Sequence, residues 1–165
     1  MQDDAFSRFT AALAAATDPI APLAALHQLV CDTVGAQLVT VTSVEDQGRL
    51  ARRSYSSHPV EYPVSGIKIV EPSRWNDIVL VGRHCFVANA LAEIAEVFPD
   101  HQLIGSMGLG SVVNMPVILR GQIGTTLNLL DAPGYYTPDR VAFITRRLTL
   151  PTMAAQLAHD ALRAA

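Results

Sequence analysis

The segment SVVNMPVILRGQIGTTLNLLD, residues 111–131, constrains the fold more than any other part of this chain. It contains two apolar stretches joined near Gly121, which predicts an antiparallel hairpin. Asn114, Thr126 and Asn128 interrupt the apolar pattern. Because a buried polar group without a partner costs about 1–3 kcal/mol, such side chains must bond to one another, to a crossing segment or to a ligand. The hairpin therefore predicts either polar ties within the core or a small-molecule cavity.

The register of this hairpin decides which side chains share a face of the sheet. We place residues 119–121 in a three-residue loop, with Gly121 in the left-handed conformation. Counting outward in steps of two then collects Asn114, Thr126 and Asn128 on one face. The opposite face is nearly all apolar: Val113, Met115, Val117, Ile123, Thr125, Leu127 and Leu129. A two-residue loop, counted in the same way, would mix the two sets. We therefore expect an apolar face against helices and a polar face beneath residues 67–110.

The first part of the chain predicts two helices and then a first hairpin. Residues 1–35 carry apolar side chains at helical spacing, with Asp18 as the cap of the second helix and Pro19 as its first residue. Residues 37–56 alternate apolar and hydroxyl side chains around a turn that contains Gly48. That period of two predicts a pair of strands.

The rest of the chain predicts short helices, one small strand, the second hairpin and a long final helix. Residues 84–88 fit a brief buried strand, and Asn89 and Asp100 are interpreted as caps of the helices that follow. Thr137 is a good cap for the final helix, in which Pro151 predicts a kink. Helices at both ends and strands between them indicate an α+β fold with an antiparallel sheet.

Length and composition indicate one packed domain. The chain has 165 residues, of which 50% are hydrophobic and 16% are charged, so disorder is not expected. We expect a single domain over residues 1–165, with N-terminal helices in 1–35, the sheet and the cavity roof in 37–131, and the C-terminal helix in 137–165.

Charge and hydropathy exclude several classes of partner. A net charge of -3 provides no basic surface for nucleic acid. The pairs Arg52–Arg53 and Arg146–Arg147 are interpreted as a solvated strand end and a solvated helix face. No apolar run approaches the roughly 18 residues of a membrane span, and the first residues do not resemble a signal peptide. We therefore expect a cytoplasmic protein that binds neither nucleic acid nor membrane.

The second hairpin and the start of the final helix resemble the end of a GAF domain. In that family a strand of the type S-x-x-N-x-P-V leads to a glycine turn, the sequence G-T-L-N-L-L and a capped helix. The matching residues are Ser111, Asn114, Pro116, Val117, Gly121, Gly124, Thr126, Leu127, Asn128, Leu129, Leu130, Pro138 and Asp139. The chain departs from the pattern by one residue, with GTTLNLL in place of GTLNLL. The resemblance extends over nearly the whole chain, and its last third is the specific part.

This resemblance implies a profilin-like, six-stranded antiparallel sheet with the terminal helices on one face. A ligand cavity under short helices is expected on the other face. Members of the family bind cyclic nucleotides, tetrapyrroles, haem, amino acids or other small molecules, and most act as sensory modules for an output domain. The sequence shows no output domain, so we expect a stand-alone sensor that either passes its signal to a separate output protein or acts alone.

The apolar stripes of the terminal helices predict a homodimer, because they offer more apolar surface than one sheet face covers. The residues on these stripes are Phe6, Phe9, Leu13, Ile144, Leu148 and Leu157.

We expect the cavity to combine an apolar wall with a few polar side chains and leave its ligand, and any cofactor, unspecified. The predicted ligand-binding residues are Tyr55, Trp75, Phe86, His101, Met107, Asn114, Thr126 and Asn128. The histidines and carboxylates show no metal-binding spacing, so no metal site is predicted.

Two alternatives to a sensor remain open. One is a small cysteine-dependent reductase of the free methionine sulfoxide reductase type, with Cys85 as the nucleophile. Cys31 is predicted on a helix of the opposite layer, so a resolving thiol for that chemistry is missing. Both thiols are otherwise interpreted as inert core residues. The other alternative is a structural dimerisation module whose own side chains fill the cavity.

Overall fold

A six-stranded antiparallel sheet forms the centre of the protein. The computed structural model describes residues 2–165, with side chains from Asp4 onward; Met1, the first residue of the predicted domain, lies outside the described residues. The strands are β1 Leu38–Glu45, β2 Leu50–Ser56, β3 Lys68–Ile69, β4 Phe86–Ala88, β5 Ser111–Leu119 and β6 Gln122–Asp131. Their order across the sheet is β3-β2-β1-β6-β5-β4, and all neighbouring pairs are antiparallel. The predicted fold class is confirmed.

The helices divide between the two faces of this sheet. The helices α1 Gln2–Ala15, α2 Ala21–Thr33 and α7 Thr149–Ala164 pack with one face. The short helices α3 Arg74–Asn76, α4 Leu91–Ala95 and α5 His101–Ser106 lie over the other. A further short helix, α6 Pro138–Phe143, precedes α7. In the described part of the chain no helix is long and apolar enough to cross a membrane.

Each face of the sheet has its own apolar core. The helix-side core takes Val39, Val41, Val113, Met115, Val117, Leu127 and Leu129 from the strands and packs them on the terminal helices. The cavity-side core takes Leu38, Phe86, Ala88, Val112 and Leu130 from the strands and packs them on the short helices. The period of two along each strand produces this separation.

The second hairpin has a different turn from the predicted one. Its loop is the two-residue turn Arg120–Gly121, with φ of 54° and 82°, and Leu119 pairs with Gln122. The prediction of a three-residue loop is therefore wrong. The pairing shifts by one residue between Val117 and Ile118, so that Gly124 becomes the extra residue of a β-bulge. A side chain at Gly124 would collide with Leu119, because an added Cβ would lie 2.7 Å from its side-chain carbons.

The bulge restores the separation of faces that an unbroken two-residue hairpin would have mixed. Asn114 pairs directly with Asn128, and Pro116 pairs with Thr126. Asn114, Thr126 and Asn128 therefore share a face, as predicted, although their cross-strand partners differ from the predicted ones.

Two helix starts also differ from the sequence prediction. The Asp18 carboxylate accepts hydrogen bonds from the backbone N–H groups of Ile20 and Ala21, at 2.9 and 3.1 Å, but α2 begins at Ala21. Pro22, not Pro19, therefore lies in its first turn. Asn89 does not cap α4, whose N-cap is Ala90.

The side chain of Asn89 has a different role. It forms two hydrogen bonds with the backbone of Tyr136, at 2.9 and 3.0 Å, and so ties β4 to the loop before the final helix.

The final helix begins as predicted and is interrupted before Pro151. Thr137 accepts a hydrogen bond from the backbone N–H of Arg140, and Pro138 occupies the first turn. The helix then widens into a π-helical turn at Ile144–Leu148 and resumes as α7. Pro151 has no N–H to donate to the preceding turn, and the π-helical turn lies there; the kink itself stays a prediction.

Candidate functional site

A cavity of about 200 Å³ lies between the sheet and the segment that crosses it. Its floor is formed by β1, β5 and β6, and its sides by β2, the loop after β2, and helices α3 and α5. The lining residues are Leu38, Thr40, Thr42, Arg53, Tyr62, Trp75, Phe98, Asp100, Ile104, Val112, Asn114, Asn128 and Leu130. The cavity is thus on the face opposite the terminal helices.

A chain of hydrogen bonds runs across the floor. The indole Nε1–H of Trp75 donates to Oδ1 of Asn114 at 3.0 Å, and Nδ2 of Asn114 donates to Oδ1 of Asn128 at 2.9 Å. Nδ2 of Asn128 donates to the hydroxyls of Thr40 and Thr42, each at 3.2 Å. The amides therefore bond to one another and, through Trp75, to the crossing segment. The same amides also line the cavity, and that they bind a ligand there stays a prediction.

A charged side holds Arg53, Tyr62 and Asp100. The Tyr62 hydroxyl donates to Oδ2 of Asp100 at 2.5 Å. Burial and this hydrogen bond raise the pKa of Tyr62, so the phenol stays neutral and remains a donor. The guanidinium carbon of Arg53 lies 5.1 Å from the centre of the Tyr62 ring, and its Nη1 donates to the backbone oxygen of Pro63 at 3.0 Å.

A β-bulge in β2 turns Arg53 toward the cavity. Tyr55 pairs with Val41, but the next pair along β1 is Thr42 with Arg53, so Ser54 is an extra residue. Arg53 consequently shares the face of Thr40 and Thr42. The sequence interpretation of this arginine as a solvated strand end is corrected, and a bulge that consists of one unremarkable serine gave no signal for it.

The structure places Tyr55 on the opposite face, against the prediction. It pairs with Val41 of the helix-side core, and its hydroxyl lies 2.8 Å from Nδ1 of His27 on α2. Because Arg53 and Tyr55 are two residues apart with the bulge between them, the tyrosine packs under the helices while the arginine faces the cavity.

The other predicted site residues divide into those that line the cavity and those that lie behind it. Trp75, Asn114 and Asn128 are lining residues; their role in binding stays a prediction.

The remaining four predicted residues do not line the cavity. Phe86 is buried in the cavity-side core, and Met107 packs against that core. The Nδ1 atom of His101 lies 3.1 Å from the backbone oxygen of Phe98, within its own turn. Thr126 faces the cavity side one pair further along the strands, where its buried hydroxyl has no hydrogen-bond partner among the described residues.

Neither cysteine lies in the cavity. Phe86 faces the cavity side, so its neighbour Cys85 points to the other face and packs against the helix-side core. Burial raises the pKa of the Cys85 thiol, which disfavours the reactive thiolate. Cys31 is exposed on α2, which corrects its interpretation as a core thiol. Among the described residues no group of three or more His, Cys, Asp or Glu side chains is arranged to hold a metal ion.

A larger groove of about 620 Å³ lies elsewhere, between the strand ends and the C-terminal helix. Most of its lining side chains are exposed, including those of Asp46, Arg120 and Arg163. The smaller cavity is the candidate site because the polar side chains of its floor are buried in the protein and line the cavity.

The fold is that of GAF domains. The GAF domain of a phosphoenolpyruvate-protein phosphotransferase from Coxiella burnetii has a TM-score of 0.75 at 12% identity, covering 99% of this chain and 95% of that one. A GAF domain/HD domain protein from Geobacter sulfurreducens has a TM-score of 0.67 at 14% identity, covering 93% and 99%.

An enzyme has the same fold. The free methionine-R-sulfoxide reductase from Neisseria meningitidis, solved with its substrate, has a TM-score of 0.67 at 14% identity, covering 99% of this chain and 90% of that one. No family model and no curated protein sequence matches the chain. At such identities the likeness establishes the fold and leaves the activity to the residues of the site.

Proposed function

We propose that this protein is a sensory or regulatory domain of the GAF type that binds a small molecule in the cavity on the sheet. The observation that carries this proposal is the buried polar floor, in which Trp75, Asn114 and Asn128 are linked side chain to side chain and line an open volume. Pockets that combine apolar walls with a few convergent polar groups are typical ligand sites. Structures of the same fold include the GAF domain of a two-component sensor histidine kinase from Bacillus halodurans.

The size of the cavity restricts the ligand. A volume of about 200 Å³ is below the ~300–1,000 Å³ of pockets for drug-sized ligands. It favours a small metabolite over a tetrapyrrole or haem. It also disfavours a purely structural module, for which the side chains were expected to fill this space.

The reductase alternative has less support than the sensor. Cys85 and Cys31 both lie outside the cavity, and burial raises the pKa of the Cys85 thiol. A thiol-based reduction needs an attacking thiolate next to the substrate.

Trp75 provides the test, because it is the only tryptophan in the sequence and lines the cavity. Native mass spectrometry of the purified protein, followed by a thermal-shift screen of small metabolites, should identify a ligand. That ligand should change the Trp75 fluorescence and lose affinity in Asn114→Leu. Leu109→Met, a change in the same core outside the lining, serves as the control. A protein that retains no ligand and responds to no compound in the screen would contradict the proposal.

We also propose that two copies associate through the terminal helices. Five of the six residues on the predicted apolar stripes pack within one chain: Phe9, Ile144 and Leu148 are buried, and Phe6 and Leu13 pack against the same core. Leu150 and Leu157, one heptad apart on α7, remain 71% and 42% exposed. Light scattering at micromolar concentration should give the mass of a dimer, and Leu157→Glu should give the mass of a monomer. A monomeric wild-type protein would overturn this part of the proposal. Ligand-dependent signalling to a separate output protein is the role that we propose for the dimer.

A further inference from the structure

The charges of the cavity restrict its ligand more than its size does. Among the described lining residues two are charged, Arg53 and Asp100, one of each sign. They do not form an ion pair with each other or with any other described residue. Tyr62 separates them, with the guanidinium over its ring and the carboxylate at its hydroxyl.

Both charged groups keep unused bonding capacity. The Nε–H of Arg53 is buried and has no hydrogen-bond partner among the described residues, while Nη1 uses only a backbone oxygen. Asp100 occupies the N-cap position of α5, but its side chain makes no capping hydrogen bond. Its carboxylate accepts a hydrogen bond from the Tyr62 hydroxyl. A guanidinium edge with a free N–H suits a carboxylate, and a carboxylate with free lone pairs suits an ammonium group.

The rest of the cavity is apolar on one side. Leu38, Leu130 and Val112 lie side by side on β1, β6 and β5, one step along from the polar floor. Ile104 of α5 and Phe98, just before that helix, pack in the same core and also line the cavity. An aliphatic group placed there would bury apolar surface without leaving a polar group unpaired.

We infer that the cavity binds a small zwitterion with an aliphatic side chain, its carboxylate at Arg53, its ammonium group at Asp100 and its side chain on Leu38, Leu130 and Ile104. This inference rests on the proposed function and names the ligand class for the same cavity. A ligand with two negative charges would be repelled by Asp100, and an amine without an anionic group would leave the guanidinium unpaired. A free aliphatic α-amino acid is small and carries both charged groups on the same carbon atom.

The test compares L-leucine with two analogues of almost the same shape. 4-Methylpentanoate lacks the ammonium group, and 3-methylbutylamine lacks the carboxylate. Isothermal titration of the wild-type protein should show binding of L-leucine, or of L-valine, L-isoleucine or L-methionine if the aliphatic subsite prefers another length. Each singly charged analogue of the best binder should bind at least about 30-fold more weakly, because either Arg53 or Asp100 then lacks its partner on the ligand.

Two variants assign the charges. Arg53→Gln should make the amino acid bind no better than 3-methylbutylamine, which lacks the carboxylate. The same variant should still bind the amino acid more tightly than 4-methylpentanoate, which lacks the ammonium group. Asp100→Asn, which keeps an acceptor for Tyr62, should do the reverse. Arg49→Gln is the matched control, because Arg49 pairs with Asp46 at the surface and does not line the cavity. If Arg53→Gln does not fold, Arg53→Lys retains the charge and should retain the preference for a carboxylate with reduced affinity.

The outcomes separate this inference from the proposed function. Equal affinities for the amino acid and either analogue would overturn the zwitterion, as would a neutral or doubly anionic ligand found by the metabolite screen while all four amino acids fail to bind. In those cases the cavity is still a ligand site. If no compound binds and the Trp75 fluorescence never changes, the proposed function fails together with the inference.

Discussion

The two faces of the sheet are formed by alternate residues of the same strands, and they pack in different ways. On the helix side, Val113, Met115 and Leu127 are at most 2% exposed and meet apolar helices directly. On the cavity side, Asn114 and Asn128 are buried as well, but they line an open volume and are hydrogen-bonded to each other. Burial alone therefore does not distinguish a residue of the packed core from a residue of the candidate site. On the helix side the side chains fill the space, whereas on the cavity side hydrogen-bonded side chains surround an open volume.

The largest expected difference between the faces is in the response to side-chain truncation. Leu127→Ala removes a fully buried side chain from the helix-side core and should lower the free energy of unfolding by about 2–5 kcal/mol. Leu130→Ala, three residues later on the same strand, enlarges an existing cavity and should cost at least about 1 kcal/mol less. Urea denaturation of the matched pair measures this difference. Equal losses would show that the cavity-side residue is packed as tightly as the core.

The polar floor should contribute less than the helix-side core, through bonds rather than volume. Asn128→Ala leaves Nδ2 of Asn114 without its acceptor and the hydroxyls of Thr40 and Thr42 without their donor. We expect a loss of about 1–3 kcal/mol in the free energy of unfolding, together with weaker binding of the proposed ligand. Trp75 fluorescence should also shift, since its own partner Asn114 is released. Thr42→Val removes only one weak acceptor and is the control; an effect as large as that of Asn128→Ala would argue against a shared network.

The turn of the second hairpin depends on the backbone conformation of Gly121. At Gly121, φ is 82° and an added Cβ would have no neighbour within 4 Å, so a substitution there acts through the backbone alone. Gly121→Val should lower stability by about 1–2 kcal/mol, whereas Gly121→Asn should lower it less, because asparagine tolerates the left-handed region. Thermal melting of both variants compares them. Identical midpoints for valine and asparagine would contradict the left-handed conformation of Gly121.

The smallest expected effect is a pH dependence that arises on the helix side. Burial, and to a lesser degree the nearby His58, lower the pKa of His27, whose ring meets the Tyr55 hydroxyl. Protonation therefore favours the unfolded state, so stability is full above the ordinary histidine pKa of about 6.5 and declines as the pH falls below it. His27→Gln should reduce this decline between neutral and mildly acidic pH. His101→Gln, on the cavity side, should leave it unchanged; if both variants behave alike, His27 is not the source.

Much of this architecture followed from patterns that are local in sequence. The alternation in residues 111–131 and the Thr137–Pro138 start of the final helix identified the sheet, its faces and the C-terminal helix. Trp75 was expected in the cavity because it lies in the segment that crosses the polar face, and it does line it.

What the sequence did not reveal depends on shifts of a single residue. The bulges at Gly124 and Ser54 each displace one strand against its neighbour, and a period-of-two count cannot detect such a shift. The first concealed the two-residue turn, and the second exchanged the faces of Tyr55 and Arg53. Tyr62 and Asp100 were missed for another reason: they are 38 positions apart and meet only in the folded chain.

The extra residue in β2 separates position 53, which faces the cavity, from the residues that anchor the strand to the helix side. Ser54 and Tyr55 remain attached to the helix side, with the Ser54 hydroxyl on Ser43 at 2.5 Å and the Tyr55 hydroxyl on His27, whatever stands at position 53. A mutation at position 53 therefore alters the chemistry of the cavity lining while these contacts with the helix side remain. A chain with the same bulge and a different residue at position 53 would present different chemistry to the cavity on the same scaffold.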